Sequence, residues 1–355
     1  NSRTGAQERM GKLGYMTGKK QEDTAFITAG DIGAVTKLSG AVTGDTLCDP
    51  KRVVSFERVA FPEACLSMAV KIKQKGDEGK VAQGMARLIE EDPTIGFEQN
   101  NETKQQLISG LGEQHIDVIV SKLKAKFGVD IGLDKVRVAY RETIRKTVKV
   151  QGKHKKQSGG HGQYGDVWIE FSPCDDEGLV FEENVFGGSV PKNFFPAVEK
   201  GLQDCVKHGV LAGYPMVGLK AVLLDGSYHP VDSSEMAFKM AASLAYKAGM
   251  PQASPALLEP IGNLKVYVPD SNTGDMISEL NKRRGRVLGM NPSDDGLQMV
   301  EGEVPMSEMD DFATVLRSTT QGRGWFTFKF ERYELLPANL EAAVIEEAKK
   351  RSEAE

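Results

Sequence analysis

Two stretches of the chain show the same alternation of periods. In residues 78–91, Val81, Met85, Leu88 and Ile89 fall at i, i+4, i+7 and i+8, one face of an α-helix. Asp92-Pro93 stops that helix, because proline disfavours a helical residue before it. A strand at Ala64–Ile72 precedes it. Strands Thr94–Glu98 and Gln105–Ser109 follow, joined by a polar turn at Asn100-Asn101. A second helix over about 112–126 and a strand at Val129–Leu133 complete a β-α-β-β-α-β order, a ferredoxin-like α/β sandwich. The order returns in residues 257–335. There a strand Leu264–Val268 leads to a helix Thr273–Arg284 capped by Gly285. Strands Arg286–Met290 and Leu297–Val304, a helix Ser307–Thr320 and a strand Gly324–Tyr333 follow.

Between the two repeats the pattern changes. From Thr143 a strand alternates basic and apolar residues, breaks at Ser158-Gly159-Gly160-His161-Gly162, and returns over Asp166–Phe171. A strand near Val180–Glu183 and a helix from Pro191 come next; proline suits an early helical position. Strand Val217–Leu224 then enters the loop Asp225–Pro230. The helix beyond it has Asp232 as its expected cap and Glu235 three residues on. Residues 338–355 read as a closing helix. Residues 1–56 read as short glycine-broken strands, part of a β-barrel. The expected fold is therefore α+β and multidomain. It comprises a partial barrel (1–56), a ferredoxin-like domain (57–134), an intervening domain (135–256) and a second ferredoxin-like domain (257–337), followed by the closing helix. Linkers are expected near Phe56–Pro62, Leu133–Val136 and Ser254–Glu259.

Composition narrows the function more than the fold. A chain of 355 residues implies two or three domains. A net charge of −5 confines any nucleic-acid contact to local patches. No run approaches the ~20 apolar residues of a membrane span, and no signal peptide is expected before the first segment. The start at Asn1, in mid-pattern, reads as a truncated or processed chain. Four scattered cysteines without CxxC suit reduced thiols in a cytoplasm rather than disulfides or zinc. There is no Gly-x-x-x-x-Gly-Lys-Ser/Thr loop to cradle a nucleotide and no nucleophile elbow, so no catalytic or metal residues are assigned.

Three constellations carry candidate chemistry. The arm before the glycine break holds Arg145, Lys146, Lys149, Lys153, Lys155 and Lys156 and no acid. Such an arm either directs itself at phosphates or is a solvated hairpin whose lysines guard an edge. Gly110 to His115, including Gly112 and Glu113, is a strand-to-helix turn; its plain reading is helix initiation. Lys282-Arg283-Arg284 at a helix end is either a dipole-matched cap or an RNA-facing knob. His115 and His229 are general bases by type alone, with no nucleophile in register. The loop Ser227 to Ser234 sits at a strand end and could share a tip with 158–165.

QSGGHGQYG (157–165) resembles the domain IV tip of bacterial elongation factor G. AGDIGAVTKLSGAVTGDTLCD (29–49), ISGLGEQHIDVIV (108–120), the stretch 211–249 and the stretch 257–290 are similar to the same family, in the same order. The resemblance implies the end of domain II followed by domains III, IV and V, with a left-handed βαβ crossover in domain IV and the closing helix 338–355 packed back against domain IV. It implies a cytoplasmic, monomeric GTPase that moves tRNA and mRNA through the ribosome. GTP and magnesium would belong to an N-terminal domain outside this chain, and ribosome recycling factor is a further partner. It places tRNA and mRNA contacts on Ser158, Gly159, Gly160, His161, Gly162, Gln163, Tyr164, Tyr228, His229 and Pro230. The family usually has arginine at His161, an acid at Pro230 and leucine at Gln114. These departures also suit a paralogue serving ribosome recycling or ribosome protection.

Overall fold

The computed structural model describes residues 1–157, 162–293 and 296–354. Two compact units divide the chain: 1–100 with 104–136, and 137–355 with 101–103.

The first unit opens with β1 (Leu13–Thr17), β2 (Lys20–Thr24) and β3 (Ala34–Val35), in the order β2-β1-β3. This sheet is open, with no closure into a barrel among the described residues. The physical reason is a missing core. Among residues 1–61 only Gly14 and Thr46 are buried, while Phe26, Ile32 and Phe56 stay exposed. A polar hub holds the segment instead. Asp45 receives Arg3 at 2.6 Å, Arg58 at 2.8 Å and the Asn1 amide at 2.8 Å. The Arg3 guanidinium holds its carboxyl well below the usual carboxylate range.

The rest of the unit follows the helical and strand periods closely. β4 (Leu66–Ile72), α1 (Glu78–Glu91), β5 (Gly96–Asn100), β6 (Gln105–Gly110), α2 (Glu113–Phe127) and β7 (Ile131–Asp134) form a sheet of order β5-β6-β4-β7. Val81, Met85 and Leu88 of α1 join one buried cluster with Ile116, Ile119 and Leu123 of α2 and Ile108 of β6. This is the ferredoxin-like order.

The second unit begins with β8 (Arg141–Ile144), β9 (Val148–Lys156), β10 (Gln163–Pro173), β11 (Leu179–Glu183), α3 (Phe195–Cys205), β12 (Leu219–Ser227) and α4 (Glu235–Gly249). Strands β11-β12-β10-β9 make one sheet. Only β11 and β12 run parallel, and α3 is carried over between them. Helix α4 lies directly on the hairpin backbone. A Cβ at Gly152 would sit 2.0 Å from the Ala241 carbonyl oxygen, and one at Gly165 2.5 Å from that of Ala237. The helix answers with Ala237, Ala241 and Ala245, all fully buried.

The second repeat is complete: β13 (Pro255–Val268), α5 (Thr273–Lys282), β14 (Arg286–Pro292), β15 (Gln298–Pro305), α6 (Phe312–Thr320) and β16 (Trp325–Leu335), in the order β14-β15-β13-β16, followed by α7 (Ala338–Ala354). Three expectations change here. The basic arm does not start at Thr143, because β8 pairs with residues 255–258 of β13 and belongs to the other sheet. The stretch 254–259 is for the same reason mainly strand rather than linker. And α5 is closed by Arg284, not Gly285, in the left-handed conformation (φ 57°), with the Gly285 amide donating to Leu280 O at 2.8 Å.

Glu142 on β8 joins the two sheets. It is fully buried, and its carboxylate accepts the backbone N–H groups of Val210, Leu211, Ala212 and Tyr214 at 2.7–3.2 Å. Its own N–H donates to Pro215 O, and its carbonyl accepts from Val217. Gly209 is required beside it: a Cβ there would fall 2.1 Å from the Glu142 carboxyl carbon. Helix α7 closes over the same loop, with Arg351 donating to the Tyr214 hydroxyl at 3.1 Å. Tyr214 also meets the Tyr140 ring at 5.4 Å, and burial pushes the Tyr140 phenol up to about 12.

Glu142→Ala strands four buried donors, and the expected cost is about 3–5 kcal/mol, read as a lower urea midpoint of the second unit. Glu303 supplies a pH dependence. The Arg332 guanidinium, helped by Arg286, pulls its pKa from 4.5 down to about 2. A lowered folded pKa stabilises above the unfolded value, so this contribution is complete above pH ~4.5 and is lost as pH falls toward ~2. Arg332→Ala is expected to raise the acid midpoint of unfolding, measured by circular dichroism.

Candidate nucleic-acid interface

The free end of the β9–β10 hairpin is stitched to the loop after β12. The Gly162 amide donates to the Asp232 carboxylate at 3.0 Å, and the Tyr164 amide to the Asp232 carbonyl at 2.8 Å. The Ser233 hydroxyl donates to Tyr164 O at 2.9 Å and accepts from the His229 N–H, also at 2.9 Å. Tyr164 and Ser233 form a short parallel bridge. The two loops therefore form one tip. Ser158, Gly159, Gly160 and His161 lie outside the described residues; Gly162, Gln163 and Tyr164 lie within. Gln163 and Tyr164 begin β10 three residues earlier than the expected strand, because they pair with Lys156 and Lys155.

A polar chain centred on the buried Asp166 supports this end. Tyr164 OH is 2.7 Å from Ser227 Oγ, which donates to Asp166 Oδ2 at 2.8 Å, and Gln151 donates to Asp166 Oδ1 at 2.9 Å. The Tyr164 hydroxyl is thus the donor to Ser227. Lys153 lies over the Tyr164 ring at 5.7 Å and 3.9 Å from Asp166. Lys155 and Lys156 are exposed, and neither has an ion pair among the described residues. His229 Nδ1 faces the amides of Asp232 at 3.2 Å and Val231 at 3.4 Å, with Asp232 Oδ2 at 3.3 Å. As acceptor, Nδ1 leaves the proton on Nε2. Tyr228, His229 and Pro230 are exposed.

The helix cap is not Asp232. Ser234 caps α4, its side chain accepting from the Ala237 amide at 3.2 Å. Asp232 is two residues too early for that bond and is committed to Gly162. The Asp232 clasp has no sequence signal beyond a loop rich in cap-type residues. A third loop at this end has no motif to mark it. Because β11 and β12 are parallel, residues 184–190 leave the sheet at the tip end. Val190 lies beside Gly226 there, and Phe186 is 93% exposed.

Arg283 is buried and Arg284 stays exposed, and both guanidinium groups are engaged by carboxylates. Arg283 is buried, bonded to Asp311 at 2.6 Å and Glu279 at 2.7 Å, with its guanidinium over the Phe312 ring. Arg284 grips Glu259 with two bonds of 2.7 and 2.8 Å and reaches Glu308 at 2.9 Å. The carboxylates that engage these two guanidinium forks range from the buried Glu259 to the exposed Asp311. Lys282 is exposed and lies 3.9 Å from Glu279. In the first unit, Gly112 precedes α2, Glu113 opens it and His115 is structural: Nδ1 accepts the Leu111 amide at 3.1 Å and Nε2 meets Asp92 at 3.1 Å. The Thr94 hydroxyl, with its amide and His115, lowers the Asp92 pKa against the opposing effect of burial.

The succession of modules defines a multidomain α+β chain of the translation-factor kind. Family models match in order: Elongation Factor G, domain III over 61–135; Elongation factor G, domain IV over 136–254; and Elongation factor G C-terminus over 256–344. The chain is also similar to a crystal structure of ttk003000868 from Thermus thermophilus, at 36% identity and a TM-score of 0.80, over 98% of this chain and 53% of that one. The chain belongs to the elongation factor G family. It spans about half the length of that solved relative.

Asp232→Ala is expected to speed hydrogen exchange at the Gly162 amide while the β10 amides beyond Gly165 stay protected. Ser234→Ala is expected to cost about 1 kcal/mol through the lost cap, without that local signature.

Proposed function

We propose that this chain is the ribosome-binding portion of an elongation factor G-like GTPase, and that it promotes the movement of tRNA and mRNA during protein synthesis. The observation that carries the reading is the stitched tip, held by Asp232 and flanked by Lys155 and Lys156, which have no acidic partner among the described residues. An element that accompanies a codon–anticodon pair through every sequence has to be blind to bases. Lysine ammonium groups meet phosphate without reading sequence, and backbone-rich loops add close approach. His229 Nε2–H would donate to phosphate or ribose oxygen. GTP and magnesium would be held by a nucleotide-binding domain outside this chain, which would supply hydrolysis to the cycle. Cytoplasmic location and action as a monomer follow from the same reading.

A paralogue role in recycling or protection, with ribosome recycling factor as partner, is favoured by one observation. Pro230 stands exposed at the tip where the family usually has an acid.

With the chain joined to a translational GTPase module, His229→Ala is expected to slow single-round translocation about tenfold, about 1.4 kcal/mol in the barrier. Unchanged rates, together with intact ribosome-stimulated GTP hydrolysis, favour the paralogue role. Lys155→Ala with Lys156→Ala is expected to weaken ribosome cosedimentation and to lower its salt slope by about 1 per lysine.

A further inference from the structure

A groove of about 600 Å³ lies between α3 and α4, away from the stitched loops. Helix α4 uses its alanine face against β9 and β10. On its outer side Met236, Met240 and Leu244 recur every four residues, 61%, 42% and 39% exposed. They form an apolar stripe of about 12 Å, eight residues of helical rise. Nothing in the packing of α4 on its own sheet uses this stripe. Met236 and Met240 line the groove with Cys205 and Tyr246, and the loop at Gly209 closes its end. That loop is the one pinned by Glu142, so this wall of the groove is fixed.

The rim is cationic. Lys200, Lys239 and Lys247 have no ion pair among the described residues, and Lys207 pairs with Asp204 at 2.7 Å. Lys207 holds the Asp204 carboxyl below its usual range, helped by Lys239 and Lys200, and Asp204, Lys239 and Lys247 line the groove together. This is a local excess in a chain of net charge −5.

We propose that the α3–α4 groove is a docking site for an acidic amphipathic helix of a protein partner. Its apolar side seats on Met236, Met240 and Leu244, and its carboxylates meet Lys200, Lys239 and Lys247. Helices dock in apolar grooves through anchors at this spacing, and methionine adapts to the anchors it meets. Nucleic acid would satisfy the lysines but offers no apolar ridge to fill the groove.

Cys205 provides a reporter inside the groove. In the chain carrying Cys48→Ser, Cys65→Ser and Cys174→Ser, alkylation of Cys205 by iodoacetamide is followed by mass spectrometry. The probe is a synthetic helix of about 14 residues with leucine on one face and glutamate elsewhere, ~21 Å long. Saturating probe is expected to slow alkylation about fivefold or more, and Lys239→Glu with Lys247→Glu to raise the concentration required about tenfold. Both substitutions are on the surface, and an unchanged thermal midpoint confirms the fold. Met240→Glu is expected to abolish protection by removing the central anchor. Three results would overturn the proposal: no protection by the glutamate peptide, equal protection by its lysine counterpart, or protection by oligouridylate instead.

Discussion

The second unit depends on one buried carboxylate. Glu142 sits on a four-residue strand of the β13 sheet, yet the groups it satisfies belong to the loop between α3 and β12 of the other sheet. A buried negative charge is tolerable only when its acceptor capacity is filled, and four backbone donors fill it. Backbone donors are also the least mobile partners available. The same interaction that offsets the charge thus fixes the 209–215 loop against β8, with no side-chain rotamer to slip. Gly209 beside it, and the Tyr140–Tyr214–Arg351 contacts above it, extend that fixed point to α7.

From this anchor, position is transmitted by close packing. Helix α4 approaches β9 and β10 until helix carbonyls occupy the space a side chain would need at Gly152 and Gly165. Such contact permits little sliding, because any shift meets backbone rather than a side chain that can turn. The Ser234 cap then falls at the level of Tyr164, and Asp232 and Ser233 reach the hairpin end in register. The tip is therefore a consequence of helix-on-strand packing. Its own loop sequence does not have to be rigid.

The two ferredoxin-like sheets are legible in the sequence because their cores obey helical and strand periods: Val81, Met85 and Leu88 all point where their spacing says. The tip is legible as a pair of strand-end loops, though not the bonds within it. Asp232 and Ser234 are both cap-type residues, and only the true helix start distinguishes them. The arm's origin is hidden because Thr143 and Val148 continue one alternation across a break at 145–147, and pattern cannot show that the two halves pair with different sheets. The first 56 residues are legible as short strands, while the scarcity of buried side chains among them is not. Arg283 and Arg284 show the same limit for charge: sequence gives the sign of a group but not which acids the fold brings to it.

The distribution of arginine and lysine follows from that last point and bears on function. Arg284 and Arg332 make two-pronged contacts with Glu259 and Glu303, and Arg283 is held between Glu279 and Asp311. The planar fork suits fixed, partly buried carboxylates, and these arginines cement the β13 sheet. At the tip the cations are Lys153, Lys155 and Lys156. An ammonium on a flexible stem keeps its hydration and accepts phosphate from many directions. A guanidinium there would select a geometry, which an ammonium does not. The fold thus separates its two cation chemistries, directional where carboxylates are fixed in the β13 sheet and tolerant at the tip.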